Sequence, residues 1–338
     1  MAMQPGTSLP IGGLSYVKGS DTPPLSELTV PALLANTAAL HGSRPAVVFR
    51  EQNIRWTWNE FSAEVDRMAS GLHALGLRKG DRVGIWSPNR FEWLLTQFAT
   101  ARVGLVMVNI NPAYRLAELE YALNKVGCKA IIAPEAFKTS RYLDMLATLA
   151  PELAKAEPGA LNAARLPLLR WVIRMEDVPT SGMLTFRELL ARGANVPKTA
   201  LDEITAGLDA RDPINIQFTS GTTGAPKGAT LTHRNIVNNG RSIAGAMRFS
   251  EQDKLCIPVP FYHCFGMVLG VLACVSTGAS MVFPGEAFHP GATMAAVSEE
   301  RCTALHGVPT MFIAQLDDPD FSKYDFSSLR TGIMAGAP

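Results

Sequence analysis

One short segment, residues 219–228, holds the residue types best suited to binding an anion; its sequence is TSGTTGAPKG. Its three glycines allow the backbone to turn tightly and to direct N–H groups inwards. Four hydroxyl side chains add hydrogen-bond donors, and Lys227 adds a compact positive charge. Together these groups suit a polyphosphate. A solvated polar loop is the alternative interpretation, but it explains the lysine and the density of hydroxyls less well.

The spacing within this segment argues against a Walker A loop, which requires G-x-x-x-x-G-K-[ST] opening directly into a helix. Pro226 stands where the second glycine of that pattern belongs, and Gly228 follows the lysine. A P-loop NTPase is therefore disfavoured, and we expect no helix to begin at Lys227.

The flanking sequence places the segment between two strands. Apolar and polar residues alternate over 214–218, which predicts a half-buried strand. Residues 230–232 predict a short return strand, after which the Thr232 side chain can cap a helix beginning at His233. We therefore expect residues 219–228 to form a loop that joins two strands.

Strand and helix patterns alternate through most of the chain. This alternation predicts an α/β fold with two parallel-rich sheets flanked by helices, in a layered αβαβα arrangement. Thr57 and Glu60 form a capping box, and the apolar residues after them recur at helical spacing until Gly76. Further strands are predicted at 82–86, 105–109, 129–133, 171–174, 254–257, 280–283, 303–307 and 331–334.

The length of 338 residues exceeds what one ordinary core accommodates, so two packed subdomains are expected. We predict an N-terminal arm at residues 1–28 and a first subdomain at 76–235, which contains the 219–228 segment. The second subdomain is predicted to combine residues 29–75 with residues 236–338.

Charge and cysteine content exclude several classes of protein. The 31 Lys and Arg residues nearly balance the 30 Asp and Glu residues, so no net field favours nucleic acid. The five cysteines include no C-x-x-C pair, which indicates neither a zinc site nor a disulfide framework and favours a reducing compartment. The N-terminus resembles neither a secretory signal nor a transit peptide, and the apolar run at 267–275 is too short to span a bilayer. The cytoplasm is therefore the expected location.

The string TSGTTGAPKG resembles the phosphate-loop motif of the adenylate-forming enzymes, which include acyl-CoA synthetases, luciferases and peptide-synthetase adenylation domains. The resemblance covers nearly the whole chain from about Ser15 and is closest to fatty acyl-CoA synthetases of the family-member-2, medium-chain type. Other matching segments follow in the family's order: NPAY at 111–114, the stretch 212–239, PFYHCFG at 260–266, GVPTM at 307–311 and GAP at 336–338.

The resemblance implies a reaction in two steps. A carboxylate attacks the α-phosphorus of ATP to give an acyl-adenylate and pyrophosphate, and coenzyme A then displaces AMP. ATP, Mg²⁺ and coenzyme A are the implied cofactors, and Lys227 and His263 are the implied catalytic residues. The implied ligands are Thr219, Ser220, Gly221, Thr222, Thr223, Gly224 and Lys227 for the phosphates, Gly336, Ala337 and Pro338 for the adenine, and His263 and Gly307 for the acid.

Each residue outside the phosphate segment also has a purely structural interpretation. His263 stands among aromatic residues, where a histidine is often simply a satisfied structural residue, and Gly307 fits a turn that closes a strand. Cys264 has no base or charged partner near it in sequence, so we expect a small apolar residue rather than a nucleophile. Candidates for an acyl tunnel, which could equally be plain core, are Phe261, Met267, Val308 and Met311.

Several parts of the family's active site have no counterpart in this sequence. The family carries, beyond the position of Pro338, a glutamate that helps to hold magnesium, an aspartate for the ribose, a hinge and a mobile domain with the adenylation lysine. We therefore expect an N-terminal portion of the enzyme that makes no acyl-CoA alone, and we assign no metal ligand within it.

Other functions stay open at this point. The chain could be part of an acyl-AMP ligase, or of an enzyme that adenylates aryl or amino acids. An amino-acid enzyme would normally carry an aspartate in the segment where residues 257–260 read IPVP. The chain could also be a non-catalytic nucleotide-binding module. Small-molecule substrates are the expected partners, without nucleic acid or a transmembrane segment. The sequence fixes neither the acyl chain length nor the oligomeric state, and a homo-oligomer is possible.

Overall fold

Two large sheets, both mostly parallel, organise the part of the chain that the computed structural model describes, residues 22–219 and 226–336. The first sheet is parallel except at one edge, which is closed by an antiparallel hairpin. In spatial order its strands are β11 (Lys227–Thr232), β10 (Pro213–Thr219), β4 (Val106–Asn109), β3 (Arg82–Ile85), β5 (Cys128–Ala133), β8 (Trp171–Arg174) and β9 (Leu184–Thr185).

The second sheet is parallel except for one antiparallel edge strand. The predicted fold class, two parallel-rich sheets with helices against them, is therefore confirmed. In spatial order the strands are β15 (Thr331–Met334), β14 (Ala304–Gly307), β12 (Lys254–Cys256), β13 (Ser280–Phe283), β1 (Pro45–Phe49) and β2 (Ile54–Thr57); a separate small hairpin consists of β6 (Ala136–Phe137) and β7 (Ser140–Arg141).

The predicted strands are present within one residue of their expected ends, except the return strand of the hairpin, which begins at Lys227 rather than at residue 230. Strands β6, β7 and β9 were not predicted, and neither were β1 and β2 of the second sheet. Their place in the second sheet depends on parallel pairing across a long stretch of sequence, in which Val47 lies opposite Met281. Local sequence patterns carry no information about such a partner.

Helices cover the faces of the sheets. Within the described part of the chain, no helix combines the length and the apolar character needed to cross a membrane. The helices are α1 (Val30–His41), α2 (Trp58–Ala74), α3 (Phe91–Arg102), α4 (Leu116–Val126), α5 (Tyr142–Leu149), α6 (Phe186–Arg192), α7 (Lys198–Ala206), α8 (His233–Ala246), a π-helix (Phe265–Leu272) that continues into α9 (Ala273–Val275), α10 (Pro290–Glu300) and α11 (Pro309–Leu316), with 3₁₀ turns at Pro151–Ala154 and Phe321–Lys323.

Reciprocal caps fix the starts of α2 and α8, the two helix starts for which the sequence predicted a cap. The Thr57 hydroxyl accepts the Glu60 N–H at 3.3 Å, and the Glu60 carboxylate accepts the Thr57 N–H at 2.7 Å. This is the predicted capping box at the start of α2. Thr232 and Asn235 form the same reciprocal pair at 3.2 and 3.0 Å, so α8 begins directly after β11, as predicted.

An aromatic cluster holds the chain that follows β12 in the core. Phe261 is fully buried, and its ring centroid lies 4.8 Å from that of Phe283 in β13 and 5.1 Å from that of Trp93 in α3. Because α3 follows a strand of the first sheet and β13 belongs to the second, this ring packs against elements of both halves of the fold.

Candidate functional site

The predicted phosphate segment lies at the connection between β10 and β11. β10 ends at Thr219, β11 begins at Lys227, and these two residues pair across the antiparallel ladder. No helix begins at Lys227, as predicted. The expected loop bounds of 219–228 are wrong at both ends, because ladder pairing extends the strands to include Thr219, Lys227 and Gly228. Outside the described residues lie Ser220, Gly221, Thr222, Thr223 and Gly224.

Lys227 stands exposed at the base of this hairpin. Its backbone carbonyl accepts the Thr219 hydroxyl at 3.4 Å, and the carbonyl of Pro226 accepts the Tyr121 hydroxyl of α4 at 3.2 Å. No ion pair joins Lys227 to a carboxylate within residues 22–219 and 226–336. The backbone around the lysine is therefore fixed, while its ammonium group is available to an external anion.

The second predicted motif lies in residues 259–267, here called the His263 segment. The His263 side chain is exposed, and its Nδ1 accepts the Phe265 N–H at 3.1 Å, which caps the start of the π-helix. A neutral ring that accepts at Nδ1 carries its proton on Nε2 and presents it as a donor. Desolvation by the surrounding protein lowers the pKa of His263, which favours this neutral form.

Polar side chains of the first sheet contact the His263 segment. Asn109, the last residue of β4, donates to the Tyr262 carbonyl at 3.0 Å and lies 3.5 Å from the Met267 sulfur. The Gln217 amide of β10 lies 3.9 Å from the same sulfur and is the register partner of Asn109. The His263 segment therefore rests on the carboxyl ends of β4 and β10, two residues before β10 ends at Thr219.

The third motif, around Gly307, is held against the second by His306. This residue is fully buried, its ring lies 5.4 Å from that of Phe265, and its Nε2 is 3.2 Å from the Leu269 carbonyl in the π-helix. Burial lowers the pKa of His306 to about 4, so the ring is neutral near pH 7. A β-carbon at Gly307 would lie 2.8 Å from the ring of Phe312. Phe312 therefore occupies the space that the missing side chain leaves.

The fourth motif, residues 336–338, follows β15, and its described residue, Gly336, lies next to the segment of Gly307 and Val308. The Ala335 N–H donates to the Gly307 carbonyl at 3.3 Å, and Gly336, at a φ of +93°, lies beside Val308. The structure thus brings the described part of each motif to the carboxyl ends of parallel strands, where ligands of open α/β sheets bind. Ala337 and Pro338 lie outside the described residues.

The four proposed tunnel residues divide into two pairs. Phe261 and Met267 are fully buried within packed core. Val308 and Met311 are only partly buried, and Met311 lines a cavity of about 320 Å³ together with Tyr262 and Phe288. The core interpretation therefore describes the first pair, and the second pair stays available to a substrate.

Nothing in the described part of the chain resembles a metal centre or a reactive thiol. No group of three or more His, Cys, Asp or Glu side chains converges there in a way that could hold an ion. The expectation of no base near Cys264 is wrong, since its sulfur lies 3.7 Å from Nδ1 of His263. Burial nevertheless raises the pKa of the half-buried Cys264 thiol, which disfavours the nucleophilic thiolate.

Sequence patterns missed the residues that join the motifs to each other. Asn109 and Asn215 are buried amides in adjacent strands, and His306 is a buried imidazole next to Gly307. One signal was available for Asn109, since a polar residue at the carboxyl end of a predicted parallel strand indicates a binding edge. Nothing local marks His306, whose partner lies 37 residues away.

Comparisons with known proteins identify the family. Residues 34–338 match the AMP-binding enzyme family. The chain belongs to this family. Medium-chain acyl-CoA ligase ACSF2, mitochondrial, of Mus musculus is 47% identical over 335 residues, 98% of this chain and 54% of that protein. Putative acyl-CoA synthetase YngI of Bacillus subtilis (strain 168) is 46% identical over 92% of this chain and 56% of that protein.

A solved structure supports the AMP-binding enzyme fold. The inhibitor-bound N-terminal domain of FACL13 from Mycobacterium tuberculosis superposes with a TM-score of 0.75 over 93% of this chain and 71% of that chain. Its sequence identity of 24% supports a shared fold alone. This chain spans about half the length of the two AMP-binding relatives named above.

Proposed function

We propose that this chain supplies the ATP-phosphate hairpin and part of the carboxylate pocket of an ATP-dependent acyl-CoA ligase. The observation that carries the proposal is the contact of the His263 segment with the carboxyl ends of β4 and β10, next to the hairpin. A phosphate-binding motif and a carboxylate-binding motif are thereby neighbours, as a reaction between the two ligands requires.

The proposed chemistry begins with attack of a carboxylate oxygen on the α-phosphorus of ATP. A carbon–oxygen–phosphorus link forms, and the bond to pyrophosphate breaks. The coenzyme A thiol, on losing its proton, then attacks the acyl carbon, and AMP leaves with the bonding electrons. Lys227 and the hairpin amides offset the negative charge that builds on the departing pyrophosphate.

His263 and the Gly307 region are proposed to hold the acid. A neutral imidazole with its proton on Nε2 donates one hydrogen bond to a carboxylate without forming an ion pair, which leaves the carboxylate oxygen nucleophilic. Gly336 is proposed to lie on the adenine side, because it belongs to the GAP segment at 336–338 that resembles the family's adenine-binding segment. Ser220, Gly221, Thr222, Thr223 and Gly224 are proposed phosphate ligands, and Ala337 and Pro338 are proposed adenine neighbours.

The proposed substrate is a fatty acid, with medium-chain acids as the finer proposal. The apolar cavity beside Tyr262 and Met311 suits an alkyl chain, and the Mus musculus relative is named for medium-chain acids. ATP and coenzyme A are the proposed co-substrates. Mg²⁺ stays a prediction for which we assign no residue here.

Two further properties stay predictions. A cytoplasmic location was predicted from the sequence, whereas the Mus musculus relative is named as mitochondrial, so fractionation of the source cells is the deciding measurement. The subdomain bounds and a possible homo-oligomer are likewise untested, and limited proteolysis and light scattering address them.

ATP–pyrophosphate exchange by the complete gene product tests the proposed function. The acids should include straight-chain fatty acids of graded length, an aryl acid and an amino acid, each with and without coenzyme A. We expect exchange that depends on the fatty acid, and a thioester once coenzyme A is added. Exchange without a thioester would indicate an acyl-AMP ligase. Exchange only with aryl or amino acids would indicate an enzyme that adenylates those acids, and nucleotide binding without exchange would indicate a non-catalytic module.

A further inference from the structure

Asn89, which follows β3, binds the backbone of the His263 segment at two points. Its Nδ2 donates to the Val259 carbonyl at 3.0 Å, and its Oδ1 accepts the Phe261 N–H at 2.8 Å. The residue between them is Pro260, which has no N–H of its own. Asn89 is only 4% exposed, so the bonds are shielded from water. One amide therefore satisfies the polar backbone groups on both sides of a proline.

Asn109, at the end of the neighbouring strand β4, continues this arrangement. It is 3% exposed, donates to the Tyr262 carbonyl at 3.0 Å, and accepts the Asn215 amide at 2.8 Å. Asn215, in β10, also donates to the Met107 carbonyl at 3.1 Å. A chain of buried amides thus runs from the strand that enters the β10–β11 hairpin to the residue directly before His263.

We propose that Asn89 and Asn109 are positioning residues that fix His263 relative to the β10–β11 hairpin and so determine how the carboxylic acid is held. We call the two residues the amide clamp. The identity of the bound acid in this inference rests on the proposed function. The placement of His263 by the two amides does not depend on it. In a water-excluded network, loss of one amide leaves a backbone group without a partner, so the segment shifts or becomes hydrated.

A second asparagine in the same chain supplies a matched control. Asn238 in α8 accepts the Ser26 N–H at 2.7 Å and donates to the Ser26 carbonyl at 2.8 Å. It therefore makes the same two-point contact with backbone, but on a residue that belongs to none of the predicted ligand-binding motifs. Loss of the Asn238 contact should affect stability without moving His263.

The first measurement needs no substrate. Asn89→Ala, Asn109→Ala and Asn238→Ala are made in the 338-residue chain, and the imidazole ¹⁵N resonances of His263 and the amide resonance of Phe265 are recorded. A His263→Gln variant assigns the imidazole signals. We expect both clamp variants to shift these resonances, and the Asn238 variant to leave them in place. If either alanine variant fails to fold, Asn89→Ser or Asn109→Ser takes its place.

The second measurement uses ATP–pyrophosphate exchange by the complete gene product with the same variants. We expect the KM for the acid to rise at least about fivefold in both clamp variants, with less than about a twofold change in the KM for ATP. Unmoved His263 and Phe265 resonances in folded clamp variants would overturn the inference, as would equal changes in both KM values. Failure of the wild-type protein to exchange with any acid would refute the proposed function, while the resonance shifts would still decide the positioning role.

Discussion

The β10–β11 hairpin and the His263 segment hold their chemical groups in different ways. Lys227 is exposed, and only its backbone is tied to the fold. His263 is also exposed, but its ring caps the π-helix, and the backbone before it is held by buried amides. In the hairpin, function and stability are therefore separable, whereas in the His263 segment they are coupled. Substitutions in the two regions should give different combinations of lost activity and lost stability.

The largest expected effect is on stability at acid pH, and it concerns buried groups. Burial lowers the pKa of His233 and of His306 to about 4, from about 6.5 in an unfolded chain. Below pH 6.5 these two histidines bind protons in the unfolded chain but not in the folded chain. Their contribution to the free energy of unfolding is therefore fully present above pH 6.5 and is lost as the pH falls towards 4. We expect a loss of about 1–2 kcal/mol per histidine by pH 5.

Urea unfolding at pH 7.5 and pH 5 measures this loss. The variant His306→Gln removes one of the two histidines with the largest pKa shifts and should make the pH dependence clearly shallower. Equal unfolding free energies at both pH values would contradict the burial of these two imidazoles in the structure.

The next effect isolates the hairpin. Lys227→Ala in the complete gene product should slow ATP–pyrophosphate exchange roughly tenfold to a hundredfold, because one charge-assisted hydrogen bond to the phosphates is lost. The melting temperature should not change, since the lysine side chain is exposed. Lys155→Ala, at another exposed lysine, is the matched control and should leave both quantities unchanged. An exchange rate equal to that of wild type would remove Lys227 from the phosphate site.

The sequence patterns predicted the hairpin better than they predicted its connections. The strand at 214–218 and the cap at Thr232 were predicted from near neighbours, and both are present in the structure. The half-buried pattern predicted for that strand is wrong, because Asn215 is buried along with Ile214 and Ile216. Strand β1 pairs with β13, and Asn89 binds Val259, 170 residues away. A buried amide has the same local sequence whether it binds backbone or faces solvent, so the clamp could not be predicted without the fold.

A smaller effect should show the coupling in the His263 segment. His263→Ala removes a proposed donor to the acid and also the cap on the Phe265 N–H, so we expect about a tenfold higher KM for the acid and a loss of about 1 kcal/mol in stability. His263→Asn keeps a side-chain oxygen that can accept from the helix start, and it should recover most of the stability. Steady-state kinetics with each substrate varied, together with thermal melts, separate the two losses. A change confined to the KM for ATP would contradict the assignment of His263 to the acid.

The smallest effect distinguishes the two interpretations of Gly307. A β-carbon there would lie 2.8 Å from the edge of the Phe312 ring, which is partly exposed and can shift, so Gly307→Ala should cost about 1 kcal/mol in stability. Phe312→Leu removes the ring atoms that the new methyl group meets, and the double variant should therefore recover that loss.

If Gly307 serves only this packing, the KM for the acid should recover in the double variant as well. If the glycine lets a ligand approach the backbone, the KM for the acid should stay high while the stability returns. A double-mutant cycle tests this. It measures the melting temperature and the KM for the acid in the wild type, the two single variants and the double variant. A stability loss that persists after Phe312→Leu would show that some other contact restricts position 307.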